Sequence, residues 1–258
     1  MKHLLSQALL AIFICVSGWP ARAATEPGAT DPEIPQSVKP PSVLTQAQRF
    51  LKIGDEYRAR KELTQAIDYF SRAIQLDDTL DEAYFGRGMA RGSSGLIAEG
   101  IRDLSVYIAR HPDSSRAHTK RGIRYLWKGD SESAYKDFRK AIALDPSNAE
   151  AYDDLGVIYA QRRDYRLALE SFRSVIRIEP LYFKAHHNMA LVYTMLDEPE
   201  SALAAVDKAL HLKTDSRNSM RLKSVILQRL GRHKEAHEVG EEAEFMPDEN
   251  WSEVAPLK

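Results

Sequence analysis

His233 and His237 stand four apart in the stretch HKEAH, so on a helix both imidazoles share one face and could ligate a transition metal. A zinc-protease helix needs a Glu directly after the first His as general base, and that place holds Lys234. Asp153-Asp154 and His186-His187 are adjacent pairs. Neighbours on a helix lie about 100° apart, so neither pair converges on a shared proton or ion. Gly86, Gly88, Gly92 and Gly95 form a glycine-rich string, but no strand pattern precedes it, as a phosphate-cradling loop requires. Cys15 is the single cysteine and lies in an apolar run, which excludes disulfides and Cys-ligated metal from the rest of the chain. No nucleophile, base and orienting group gather in the sequence. The expectation is a protein without enzymatic activity, cofactor or metal.

The elements that carry these residues follow one rhythm. From Ala47 to Asn250 the same pattern returns every 34 residues, with repeats beginning at Ala47, Asp81, Ser115, Ala149, Phe183 and Arg217. The eighth place holds Gly54, Gly88, Gly122, Gly156, Ala190 and Ser224, and the twentieth Ala66, Gly100, Ala134, Ala168, Ala202 and Ala236. Helices approach to about 8 Å only where side chains are small. The expected contact of each hairpin is therefore between these two places, above all at Gly54, Gly88, Gly122, Gly156, Ala66, Ala134, Ala168 and Ala202. Large residues surround them: Tyr57, Tyr125, Tyr159 and Tyr193 at the eleventh place, Phe70, Leu104, Phe138 and Phe172 at the twenty-fourth. Pro112, Pro146 and Pro180 stop the second helix. Thr45 with Gln48, Thr79 with Glu82 and Ser147 with Glu150 predict capping boxes. Gly95, Gly129 and Gly231 predict left-handed turns between the two helices, and Pro199 a helix start.

A fixed period of this size, with this placement of small and aromatic residues, resembles the tetratricopeptide repeat (TPR) family. The resemblance implies an all-α, right-handed superhelix (an α-solenoid) of six helix-turn-helix repeats over 45–250. It also implies a concave groove lined by the first helices, in which a protein or peptide partner binds. On this chain the groove places give Phe85, Met89, Arg116, Ile123, Leu126, Trp127, Val157, His187, Leu191 and Met195. Trp127 is the expected anchor of an apolar patch in repeats two and three, since Trp is favoured at binding hot spots. The Lys and Asn places with which some relatives clamp a C-terminal carboxylate are not filled that way here. The second repeat, rich in glycine, is expected to be the least rigid. Gly240 at the aromatic place and Glu244 near the end make the sixth repeat a polar terminal one.

Residues 1–23 read as a secretory signal peptide. Lys2 and His3 open it, Leu4 to Val16 is apolar, and Ala21-Arg22-Ala23 is a small-x-small cleavage site. As a helix the apolar centre would fall short of a hydrocarbon core about 30 Å thick, so no membrane segment is expected after cleavage. The expected location is the periplasm of a Gram-negative bacterium, with secretion as the alternative. Residues 24–44 carry Pro27, Pro32, Pro35, Pro40 and Pro41 and read as a Pro-rich linker. Residues 251–258 form a tail with Trp251. The formal net charge of −1 lacks the basic excess of a nucleic-acid binder. The expected function is a scaffold or adaptor for protein–protein interaction. The alternative is a self-associating subunit of a cell-envelope assembly, a homo-oligomer.

Overall fold

The computed structural model describes residues 44–247. The expected signal peptide, nearly all of the expected linker, the tail and the last three positions of the sixth repeat lie outside the described residues. Within them the chain is all-α, six consecutive hairpins. These are α1 (Gln46–Ala59) with α2 (Leu63–Leu76), α3 (Asp81–Ser93) with α4 (Ile97–Arg110), and α5 (Ser115–Lys128) with α6 (Ser131–Leu144). Next come α7 (Ala149–Gln161) with α8 (Tyr165–Ile178), α9 (Phe183–Met195) with α10 (Pro199–Leu212), and α11 (Arg217–Arg229) with α12 (His233–Glu244). Each odd-numbered helix also touches the next odd-numbered one, whereas the even-numbered helices do not touch one another. The odd helices form a close-packed inner wall, and the even helices stand apart as outer ribs.

The small residues do pack inside each hairpin, but the eighth place meets the twenty-fourth more than the twentieth. A Cβ on Gly54, Gly122 or Gly156 would lie 2.7, 2.7 or 2.6 Å from the ring of Phe70, Phe138 or Phe172. Those three rings are fully buried. In the second repeat, Leu104 replaces the Phe and the backbones close directly: a Cβ on Gly100 would stand 2.8 Å from the Gly88 carbonyl oxygen. The sixth repeat inverts the sizes, with Ser224 facing Gly240. The sum of bulk across the crossing is what the fold holds roughly constant.

Helix starts differ from the sequence expectation in two of three places. Thr45 and Gln48 form the predicted capping box on α1. Before α3 and α7 the helix begins one residue later than expected. Thr79 and Ser147 donate instead to Asp77 and Asp145, closing local turns over N–O distances of 3.0 and 2.9 Å. Asn148 then caps α7, while Leu80 precedes α3 with no side-chain cap. An Asp two residues upstream competes for the same hydroxyl and amide, and its turn wins.

The tight turn inside every hairpin has a residue with positive φ at the same repeat place. Gly95, Gly129 and Gly231 take φ of 90°, 85° and 74°, as expected, and Lys61, Arg163 and Asp197 take 61°, 65° and 58°. Nothing lies within 4 Å of a Cβ built on Gly129. Gly129→Ala should therefore cost about 1 kcal/mol through the backbone alone, and Arg163→Gly should gain a comparable amount. Thermal melts of the two variants should shift in opposite directions.

The glycines of the second repeat are seats for neighbouring side chains. Phe70 from the first repeat reaches Gly86, where a Cβ would lie 2.6 Å from its ring. Gly92 makes room for Arg124 of the third repeat, whose Nε would lie 1.9 Å from a Cβ at that position. Arg124 is 1 % exposed. Gly92→Ala should lower stability by about 2 kcal/mol in urea unfolding, as overpacking does. In an Arg124→Ala background the same change should raise it by roughly 1 kcal/mol, the helix preference for Ala over Gly.

Candidate functional site

Two polar clips tie successive repeats together on the outer side. Arg87 donates through Nε and Nη2 to both carboxylate oxygens of Asp103, at 2.9 and 2.8 Å, and through Nη1 to Ser71 of the preceding repeat. One repeat on, Arg121 grips Asp137 with both distances at 2.8 Å and reaches Ser105. His118 Nδ1 lies 3.0 Å from the same Asp137. Burial pushes the Asp137 carboxyl up, but the hydrogen bonds and charges of Arg121 and His118 outweigh it and hold it below the usual carboxylate range. Sequence reasoning missed these clips, although Arg87/Asp103 and Arg121/Asp137 repeat at 16 apart and 34 on.

The inner wall is closed over its middle. Phe85 is buried beneath Arg116, whose guanidinium lies 4.3 Å from the ring centroid, and beside Tyr107 at 5.1 Å. Ile123, Val157 and His187 are buried, the last with Nδ1 3.0 Å from Ser219 Oγ. Trp127 and Leu126 are half-buried. The Trp127 ring carries the buried Arg124 guanidinium at 4.4 Å, and Met89 Sδ lies 3.6 Å from the same group. So the expected patch of repeats two and three is largely packed: Phe85 and Ile123 face neighbours, and Trp127 sheathes a buried cation.

The wall opens at repeats five and six. Leu191 is half-buried, while Met195 and Val225 are 41 % and 45 % exposed. Their repeat places put them on the groove side of α9 and α11, which touch one another. Arg229 bridges the two helices by donating to the Thr194 carbonyl at 2.8 Å, and Arg221 is held by Glu244 at 2.9 Å. Both arginines are exposed beside the apolar surface.

At the middle of the wall, Asp153 is 2 % exposed. It accepts from Asn188 Nδ2 at 3.1 Å and from the Tyr182 hydroxyl at 3.3 Å. Burial pushes its carboxyl up to about 6, against the lowering effects of Asn188, Lys184 and Tyr182. Burial, then the neighbouring Asp153 and Asp154, push the Tyr182 phenol up as well. Asp153 is thus a structural link between repeats four and five. His233 and His237 are exposed, and His237 lies 3.4 Å from Glu241. Among the described residues no three His, Cys, Asp or Glu side chains are grouped to hold a metal ion, and no helix is long and apolar enough to cross a membrane.

Comparison with known families agrees with the hairpin register. A profile described as tetratricopeptide repeat matches residues 47–79 and 149–180, and one described as TPR repeat matches 122–162. Residues 47–79 and 122–180 carry TPR repeats. Curated proteins give no match. Among solved structures, the TPR array is similar to the MamA protein, with 23 % identity and a TM-score of 0.58 over 66 % of this chain and 92 % of that one. It is similar to YrrB, described as a TPR protein with an unusual peptide-binding site, with 20 % identity and a TM-score of 0.57 over 69 % and 92 %. It is also similar to pilF of Pseudomonas aeruginosa, with 16 % identity and a TM-score of 0.66 over 76 % and 88 %. At these identities the likeness is one of fold. Within the TPR register, Leu191 and Met195 are the candidate groove residues that keep apolar surface open in the C-terminal repeats, and Val225 joins them at a ninth place.

Proposed function

We propose that the protein is an exported, non-enzymatic scaffold that binds a protein or peptide partner on the inner wall of repeats five and six. The exposed Met195 and Val225, at groove places, carry this reading, since Phe85, Ile123 and Val157 at groove places of earlier repeats are buried. Apolar surface rimmed by polar groups marks interaction sites. Arg221 and Arg229 favour a segment with an apolar anchor beside an acidic residue. The peptide-binding site ascribed to the similar YrrB is in keeping with that use of the fold. Peptides selected from a random display library on the intact protein should lose at least tenfold in affinity to the Met195→Glu/Val225→Glu variant. Selected peptides that bind the variant equally well would place the site elsewhere. Export rests on residues 1–23; the cell-fractionated protein should begin at Ala24, and an intact Met1 in the mature protein would refute it.

A further inference from the structure

On the outer side, the polar clip of repeats two and three is not carried on into repeat four. In repeats two and three the crevice between successive outer helices is filled by an Arg from the odd helix, an Asp from the even helix and a Ser from the preceding even helix. In repeat four the same three places hold Leu155, Ser171 and Arg139. The inward-reaching Arg and the carboxylate that held it are both replaced, and a cleft of about 440 Å³ stands between α6 and α8. That volume is within the range of small-ligand sites.

The floor is Tyr152, Leu155 and Tyr159 of α7, an apolar and aromatic surface. Arg139 and Arg177 line it from the two ribs. Arg139 donates to the Tyr135 hydroxyl at 3.1 Å, and Arg177 to Ser174 Oγ at 3.1 Å. Among the described residues neither guanidinium has a carboxylate within ion-pair distance. The one acid in the lining, Glu170, has Arg166 at 3.5 Å. A guanidinium pair over an aromatic floor matches a carboxylate on an apolar body, through charge-assisted hydrogen bonds above and stacking below.

We propose that this cleft binds such a carboxylate, which takes the place of the Asp of the neighbouring clips. The ligand is either a small aryl carboxylate or the C-terminal residue of a peptide. The site is on the face opposite the inner wall and does not depend on the function proposed above.

Titration by NMR with N-acetyl-phenylalanine, 3-phenylpropionate and the neutral N-acetyl-phenylalaninamide tests it. Both acids should shift the amides of α6, α7 and α8 and bind at least tenfold tighter than the amide. Binding by N-acetyl-phenylalanine alone would support the site and assign it to chain termini. The Leu155→Arg/Ser171→Asp variant rebuilds the clip and should abolish binding while its melting temperature holds. The exposed pair Arg139→Gln/Arg177→Gln should weaken binding at least tenfold in a folded protein, which keeps the test valid if the rebuilt variant does not fold. Equal binding of acid and amide, undiminished binding by the Gln variant, or no shift with any probe overturns the proposal.

Discussion

Phe138→Ala should lower the unfolding free energy by about 3–5 kcal/mol, the loss typical of a fully buried aromatic ring. The ring is 0 % exposed and packs with Ile123, Ala151, Leu155 and Ile158, so it joins its own hairpin to the next. Repeat proteins transmit stability through nearest-neighbour interfaces, so the loss should spread to repeats three and four together. The crossing also predicts a coupling. Gly122→Ala drives a Cβ into that ring, but Phe138→Val makes room for it and recreates the Ala190/Val206 pair of repeat five. The double variant should be more stable than the sum of the two changes by about 1–3 kcal/mol. Urea unfolding of the four proteins measures this directly.

Asp153→Asn should stabilise the protein by about 3 kcal/mol at pH 8, the order expected for two units of raised pKa. The sign follows from the direction of the shift. A carboxyl that titrates at about 6 when folded, against an ordinary value of 3.8, holds its proton in the native state after the unfolded chain has released it. Its contribution therefore falls as pH rises from about 4 to 6 and stays low above that. Asn keeps the shape without the charge, its carbonyl oxygen accepting from Asn188 and its amide donating to the Tyr182 hydroxyl oxygen. The difference between variant and wild type should vanish below pH 4, grow through pH 5 and level off above pH 6. A difference independent of pH would mean that Asp153 titrates in the folded protein as it does in the unfolded chain.

Much of this fold is legible in the chain, because the 34-residue period reports a packing rule that each hairpin obeys. The small eighth and twentieth places, the glycine turns, the capping box at Thr45 and Pro199 at the start of α10 are all local devices, readable one repeat at a time. What escaped reading lies between repeats or against local preference. Lys61, Arg163 and Asp197 hold positive φ without a glycine to announce it. Gly86 and Gly92 looked like loosening residues, yet they seat Phe70 and Arg124 from other hairpins. The groove was the hardest part. The register marks Phe85, Ile123 and Val157 as facing the wall, but how far they are covered depends on side chains one repeat away, such as Arg116 over Phe85.

A photo-reactive residue placed singly at Met195, Val225, Lys140 and Leu76 would test the inner-wall site most directly, in intact cells. Met195 and Val225 belong to the open end of the wall, while Lys140 and Leu76 are exposed on outer helices. Crosslinking to one and the same partner from the first two positions, and not from the last two, is the predicted result. The same partner captured equally from Lys140 or Leu76, with none from Met195 and Val225, would contradict it.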